Sequence, residues 1–242
     1  MKPRSAIVRA VRVVATGAAV AAGAYAVCVG LAWSRYGEPP APSAEEADEL
    51  LDRFIPMYDV VERHRVRIAA PAALVLAAAK EQDLREPLVI RAIFRAREIA
   101  LGGETVEDRG PVGLLAEVQS LGWGILASRA DREIVVGAVT KPWEATVTFH
   151  PLGPDRFAGF AEPHHVKIAW TLRADPAGDN DTIFRTETRA VATDETARAK
   201  FRRYWAFASP GVASIRWLSL RSLKRAAERR AAAAWQVERA QS

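Results

Sequence analysis

The sequence predicts an α+β protein: a curved antiparallel sheet wrapped on a long C-terminal helix, preceded by an N-terminal transmembrane helix. Three observations predict it. From 123 to 191, short β-type runs alternate with turn residues. From about Asp194 the pattern becomes helical and continues to about Ala227. Residues 13–33 carry no charge over about the length that crosses a bilayer core.

The N-terminal run is VVATGAAVAAGAYAVCVGLAW. Lys2, Arg4, Arg9 and Arg12 precede it within 1–12, and EPPAPSAEEADE follows soon after. The positive-inside rule then keeps 1–12 in the cytoplasm and exports the rest as a single-pass protein, with Tyr25 and Trp33 suited to the interface. The competing reading is a signal peptide cleaved after Ala24-Tyr25-Ala26, which releases a secreted domain. The lone cysteine, Cys28, allows no internal disulfide.

Residues 34–59 read as a linker with a short helix. GEPPAPS at 37–43 is Pro-rich and extended, and 44–54 has helical spacing through Leu50, Leu51 and Phe54. The domain then begins at 60. His64, Val66 and Ile68 alternate with Arg63, Arg65 and Arg67, which predicts a strand over 60–69. Pro71 suits a first helical position, and a second helix is expected over 88–97. Leu101-Gly102-Gly103 ends it, and 104–113 reads as a loop.

The strands follow. Residues 124–129 and 133–139 read as a hairpin, 146–149 as a short strand and 157–160 as a further one. In 165–173, Val166, Ile168, Trp170 and Leu172 share one face. Turn residues at 176–180 lead to the strand 182–191, which should pair antiparallel with it. Phe184, Thr186, Thr188 and Ala190 share one of its faces; Arg185, Glu187 and Arg189 share the other. Thr193 is the expected N-cap of the last helix. Ser209-Pro210-Gly211 is expected to break that helix, and 228–242 to form a basic, solvated Ala/Arg-rich tail.

This order of elements resembles the START-like, or Bet v 1-like, helix-grip superfamily. Ala70-Pro71-Ala72-Ala73-Leu74-Val75 after the first strand is similar to the opening of many such domains. Thr186-Glu187-Thr188-Arg189, then Thr193-Asp194 and Phe201-Arg202-Arg203-Tyr204-Trp205, resembles an uncharacterised bacterial group within it. The likeness covers about 60–227. It implies an elongated space between sheet and last helix for a hydrophobic or lipid-like ligand, and no single activity.

Trp123, Phe149, Trp170, Phe184, Tyr204 and Trp205 are the candidate lining of that space; the alternative is a filled core, which apolar periodicity does not distinguish from a pocket wall. His64 and Glu187 are the candidate general bases if the protein is instead a cyclase, dehydratase or hydrolase. Glu187 between Arg185 and Arg189 reads more simply as an outward charge ladder. His150, His164 and His165 lack ligand spacing, so neither a metal nor a cofactor is expected.

The net charge of +5 hides a strong asymmetry. Residues 1–35 hold five Lys/Arg and no acid, and 196–242 hold eleven against Glu228 and Glu238, which leaves 36–195 at −9. A basic tail on an acidic body argues against nucleic acid as partner and suits anionic lipid headgroups, or simply a solvated helix face. A structural interaction module of the cell envelope is the third reading.

Overall fold

A computed structural model describes residues 3–83 and 113–241. The helix expected over 88–97, its Gly stop and most of the 104–113 loop lie outside the described residues. The elements are α1 (Pro3–Arg35), α2 (Glu49–Asp52), β1 (Val60–Ile68), α3 (Ala72–Glu81), α4 (Leu114–Ser120), β2 (Gly124–Arg129), β3 (Glu133–Thr140), β4 (Phe149–His150), α5 (Pro154–Ala158), β5 (Val166–Pro176), β6 (Thr182–Ala192) and α6 (Glu195–Gln241). They build one open antiparallel sheet in the order β1-β6-β5-β3-β2, with β4 on the end of β3.

Register fixes the two faces, because side chains alternate along every strand. His64 pairs with Thr186, Trp170 with Thr188, and Val136 with Trp170. These residues therefore share the inner face, which α3 and α6 cover. Ile68, Val75, Leu76, Leu172, Phe184 and Leu223 form its main core. The alternation in 165–173 and 182–191 thus assigns both strands to the correct faces.

The outer face is not solvated. Residues 36–58 fold back across it, so this stretch is part of the domain and not an extended linker. Leu50, Leu51, Phe54 and Ile55 pack there with Val135, Ala169 and Phe157. Helix α2 is one turn long, capped by Asp48, whose carboxylate accepts from the Leu51 N–H at 2.8 Å. The outward charge ladder is accordingly buried. Arg189 is 1% exposed and donates to Glu187 (2.6 Å), to Asp52 and to the Ile55 carbonyl (2.9 Å). Glu187 also receives Arg63 at 3.1 Å.

Glu133 lies on the same face, 1% exposed, with Oε1 lacking a hydrogen-bond partner. Burial and the nearby Asp48 carboxyl raise its pKa from 4.5 to about 7. The folded state therefore holds this proton more tightly than the unfolded chain. Its stabilising contribution is complete below about pH 4.5 and is lost as pH rises to about 7. Glu133→Gln is expected to flatten that part of the profile of Tm against pH. An equally steep fall in the variant would refute the assignment.

Further expectations change. Residues 154–158 form helix α5, with Pro154 in its first turn and Phe157 buried, where 157–160 reads as strand. β4 is two residues long, at 149–150. Asp194, not Thr193, caps α6: its carboxylate accepts the Ala197 N–H at 2.7 Å. Backbone hydrogen bonds from Ala197 and His164 hold the Asp194 pKa below the usual carboxylate range.

Helix α6 also runs unbroken through Pro210. The proline removes one N–H from the ladder, a local cost. Packing on both sides holds the axis: Phe201 and Ala206 are buried before it, Leu223, Ala227 and Ala231 after it. The stretch after 227 continues as helix to Gln241, with Ala231 buried and Trp235 partly buried against the main core and most of its other described residues exposed.

Helix α1 is long and apolar enough to cross a membrane: 12–35 has a mean hydropathy of 1.8, and its side chains are exposed, Val13 at 67% and Val14 at 71%. Its C-terminal third touches α6. The Tyr25 hydroxyl donates to the Phe207 carbonyl at 2.9 Å, and the Arg202 guanidinium lies 4.4 Å over the Trp33 ring and donates to the Trp33 carbonyl.

Candidate binding site under the C-terminal helix

Helix α6 lies over β1 and β6, while α3 lies over β5. The apolar contacts under α6 fall into two groups. Phe201, with Tyr204 and Trp205, packs toward Tyr36, Val60, Val166 and Ala190. Leu223, Ala227 and Ala231 join the main core. Between the two groups along α6, Val212, Ile215 and Arg216 are only partly buried, and Ile168 of β5, also partly buried, packs against the Phe201 group.

Arg216 occupies this gap. It precedes Leu223 by seven residues and Ala227 by eleven, so helical periodicity places it on the apolar face. Nη2 donates to Thr188 Oγ1 at 2.9 Å and Nη1 to Thr186 Oγ1 at 3.4 Å. The guanidinium lies 5.2 Å from the Trp170 ring. Among the described residues no carboxylate comes within ion-pair distance of it. Burial lowers its pKa to about 10, and Glu62 acts against that shift. It is still a cation at neutral pH.

The polar row continues onto β1. Glu62 sits opposite Thr188 and His64 opposite Thr186. His64 Nε2 lies 3.3 Å from Glu62 Oε2, yet that buried nitrogen makes no well-aligned hydrogen bond. The row of Glu62, His64, Thr186, Thr188 and Arg216 therefore crosses from sheet to helix within an otherwise apolar face.

The six aromatics divide. Trp123, Phe149 and Trp170 cluster, with ring centroids 5.0 Å (Trp123–Phe149) and 6.1 Å (Trp123–Trp170) apart. Gly122 makes that possible: its φ is +100°, and a Cβ there would meet the Phe149 carbonyl oxygen at 2.3 Å. Phe184 is 1% exposed inside the main core. Tyr204 and Trp205 stand against Phe201 at 6.2 and 6.0 Å, in the other apolar group.

The candidate bases separate as well. His64 is on the inner face. Glu187 is on the outer face, held by Arg63 and Arg189, and so does not share a site with His64. Among the described residues no group of three or more His, Cys, Asp or Glu is placed to hold a metal. His164 departs from strand geometry (φ +65°) and lies 3.3 Å from Asp194.

Sequence reasoning placed Arg216 in the basic tail and missed its part here. The available signal was its position in line with Leu223 and Ala227.

The features define an antiparallel-sheet protein with mixed contacts under its C-terminal helix, aromatic at Trp123, Phe149 and Trp170 and cationic at Arg216. No protein-family model matches the chain, and no curated protein matches it by sequence. Among solved structures it is similar to a hypothetical protein from Helicobacter pylori, at 7% identity, covering 77% of this chain and 99% of that one, with a TM-score of 0.37. It is also similar to norcoclaurine synthase from Thalictrum flavum, at 12% identity over 76% and 97%, with a TM-score of 0.32. The Zhui aromatase/cyclase from Streptomyces sp. R1128 is 18% identical over 70% and 94%, with a TM-score of 0.24. All three scores are below 0.5, so the account of the fold rests on the strand order and helix placement given above.

Proposed function

We propose that the protein is a membrane-anchored, helix-grip (START-like) domain that binds a hydrophobic or lipid-like small molecule between sheet and α6, without catalysis. One observation carries the reading: the apolar contacts under α6 part into two groups, and partly buried Val212 and Ile215 lie between them along the helix. An amphipathic guest would find apolar surface there beside a few fixed polar groups. On this reading α1 tethers the domain, N-terminus inside, and the domain faces the periplasm or exterior. Exposed Arg221, Arg225 and Arg229 follow one another at helical spacing, which suits contact with anionic headgroups.

The catalytic alternative draws on the approach of His64 to Glu62 beside Arg216. Native mass spectrometry of the full-length protein from detergent, with solvent extraction of whatever it carries, tests both. Binding predicts a stoichiometric apolar adduct recovered chemically unchanged after incubation. A converted product would instead favour a cyclase, dehydratase or hydrolase. Absence of any adduct, from membranes or after addition of long-chain amphiphiles, overturns the reading.

A further inference from the structure

We infer that Arg216 is an anion-binding site, and that the guest carries a carboxylate or phosphate monoester joined to an apolar chain or ring system. The inference rests on the binding role just proposed and adds the chemistry of the ligand's head.

The argument is a comparison within one molecule. Arg189 has Glu187 and Asp52; Arg63 has Glu187; Arg173 and Arg185 flank Asp175 at 2.9 and 3.1 Å. Each of these enclosed guanidinium groups meets a carboxylate, as the cost of removing a charge from water requires. Arg216 is enclosed too and has two neutral threonine hydroxyls. Those two bonds use two of its five N–H donors. Arg216 as a residue is only partly buried, while its guanidinium sits between helix and sheet against Thr186, Thr188 and Trp170. Spare donors and a charge without an ion-paired carboxylate are what a fork-shaped contact with a planar carboxylate or a phosphate uses.

Neighbouring groups set the orientation. Glu62, the nearest carboxylate on this face, lies against His64 at 3.3 Å and so faces a different partner. The Trp170 ring lies 5.2 Å from the Arg216 guanidinium and 6.1 Å from the Trp123 ring, and Trp123 continues to Phe149. A head held at Arg216 would place its apolar portion along these three rings.

The test titrates full-length protein, held in an amphipathic polymer, with hexadecanoic acid, hexadecyl phosphate and hexadecan-1-ol. Heat of binding is the readout. At least one acid is expected to bind about tenfold or more tightly than the alcohol, the size of one charge-assisted contact. Comparing the two acids distinguishes carboxylate from phosphate. Arg216→Met should abolish that preference and leave the alcohol's affinity within about twofold, because it removes the charge but keeps apolar bulk. Arg216→Lys, which keeps the charge and guards against misfolding of the first variant, should retain part of it. Equal binding of acids and alcohol by the native protein, or equal weakening of all three by Arg216→Met, overturns the anion site. If none of the three binds, the binding role itself falls, and the anion site with it.

Discussion

Arg189→Met is expected to destabilise the domain by about 3–5 kcal/mol, the cost of leaving a buried ionic partner uncompensated. The residue is 1% exposed, and its guanidinium ties three parts of the chain together: Glu187 on its own strand, Asp52 of α2 and the Ile55 carbonyl. Its plane also lies 4.7 Å from the Tyr58 ring. Methionine fills much of the volume and supplies none of the five donors. Glu187 would keep Arg63 alone, and the Ile55 carbonyl would lose its side-chain donor. Urea denaturation at neutral pH measures the effect. A single-variant cost below about 1 kcal/mol would mean that 36–58 does not dock on the sheet through this network.

Phe184→Ala should cost a similar amount, about 3–5 kcal/mol, through loss of transfer energy and the cavity left behind. Phe184 is enclosed by the core that joins β1, α3 and the distal half of α6. The same variant separates packing from ligand lining. A core role predicts lowered stability with hexadecanoic acid affinity unchanged under conditions where the variant is folded. A pocket role predicts weakened binding at the same time. Trp170→Ala provides the contrast, because Trp170 reaches both Arg216 and Trp123. A Phe184 variant that loses affinity as Trp170→Ala does would return Phe184 to the lining.

Local alternation made the sheet legible. β1, β5 and β6 carry clean period-two patterns, and their faces and the β5–β6 pairing follow from those patterns alone. Three features were hidden for physical reasons. The segment 36–58 reads as linker because GEPPAPS signals extended backbone; that Leu50, Leu51, Phe54 and Ile55 cap the outer face depends on tertiary contacts no local pattern encodes. Pro210 signals a break, and tertiary packing along α6 outweighs the loss of one backbone hydrogen bond. Residues 157–160 offer apolar side chains consistent with a strand, whereas Gly153-Pro154-Asp155 just before them starts a helical turn. Of the six candidate aromatics, the structure brings Trp123, Phe149 and Trp170 together, a grouping that apolar spacing alone does not give. Arg216 was masked because it belongs to a sequence rich in arginine, most of which is on the surface.

The seat of α1 on α6 bears on how far the anchor can reach. With Tyr25 and Trp33 engaged by Phe207 and Arg202, the uncharged run clear of the domain shrinks to 13–24. Twelve residues rise about 18 Å, against about 30 Å of hydrocarbon. Full insertion therefore requires Tyr25 to release the Phe207 carbonyl and Trp33 to release Arg202, which lays bare the flank of α6 beside Phe207. On the proposed reading of α1 as a membrane anchor, bilayer and protein are thus rivals for the same turns of one helix, and the depth of insertion is mechanically linked to the exposure of α6.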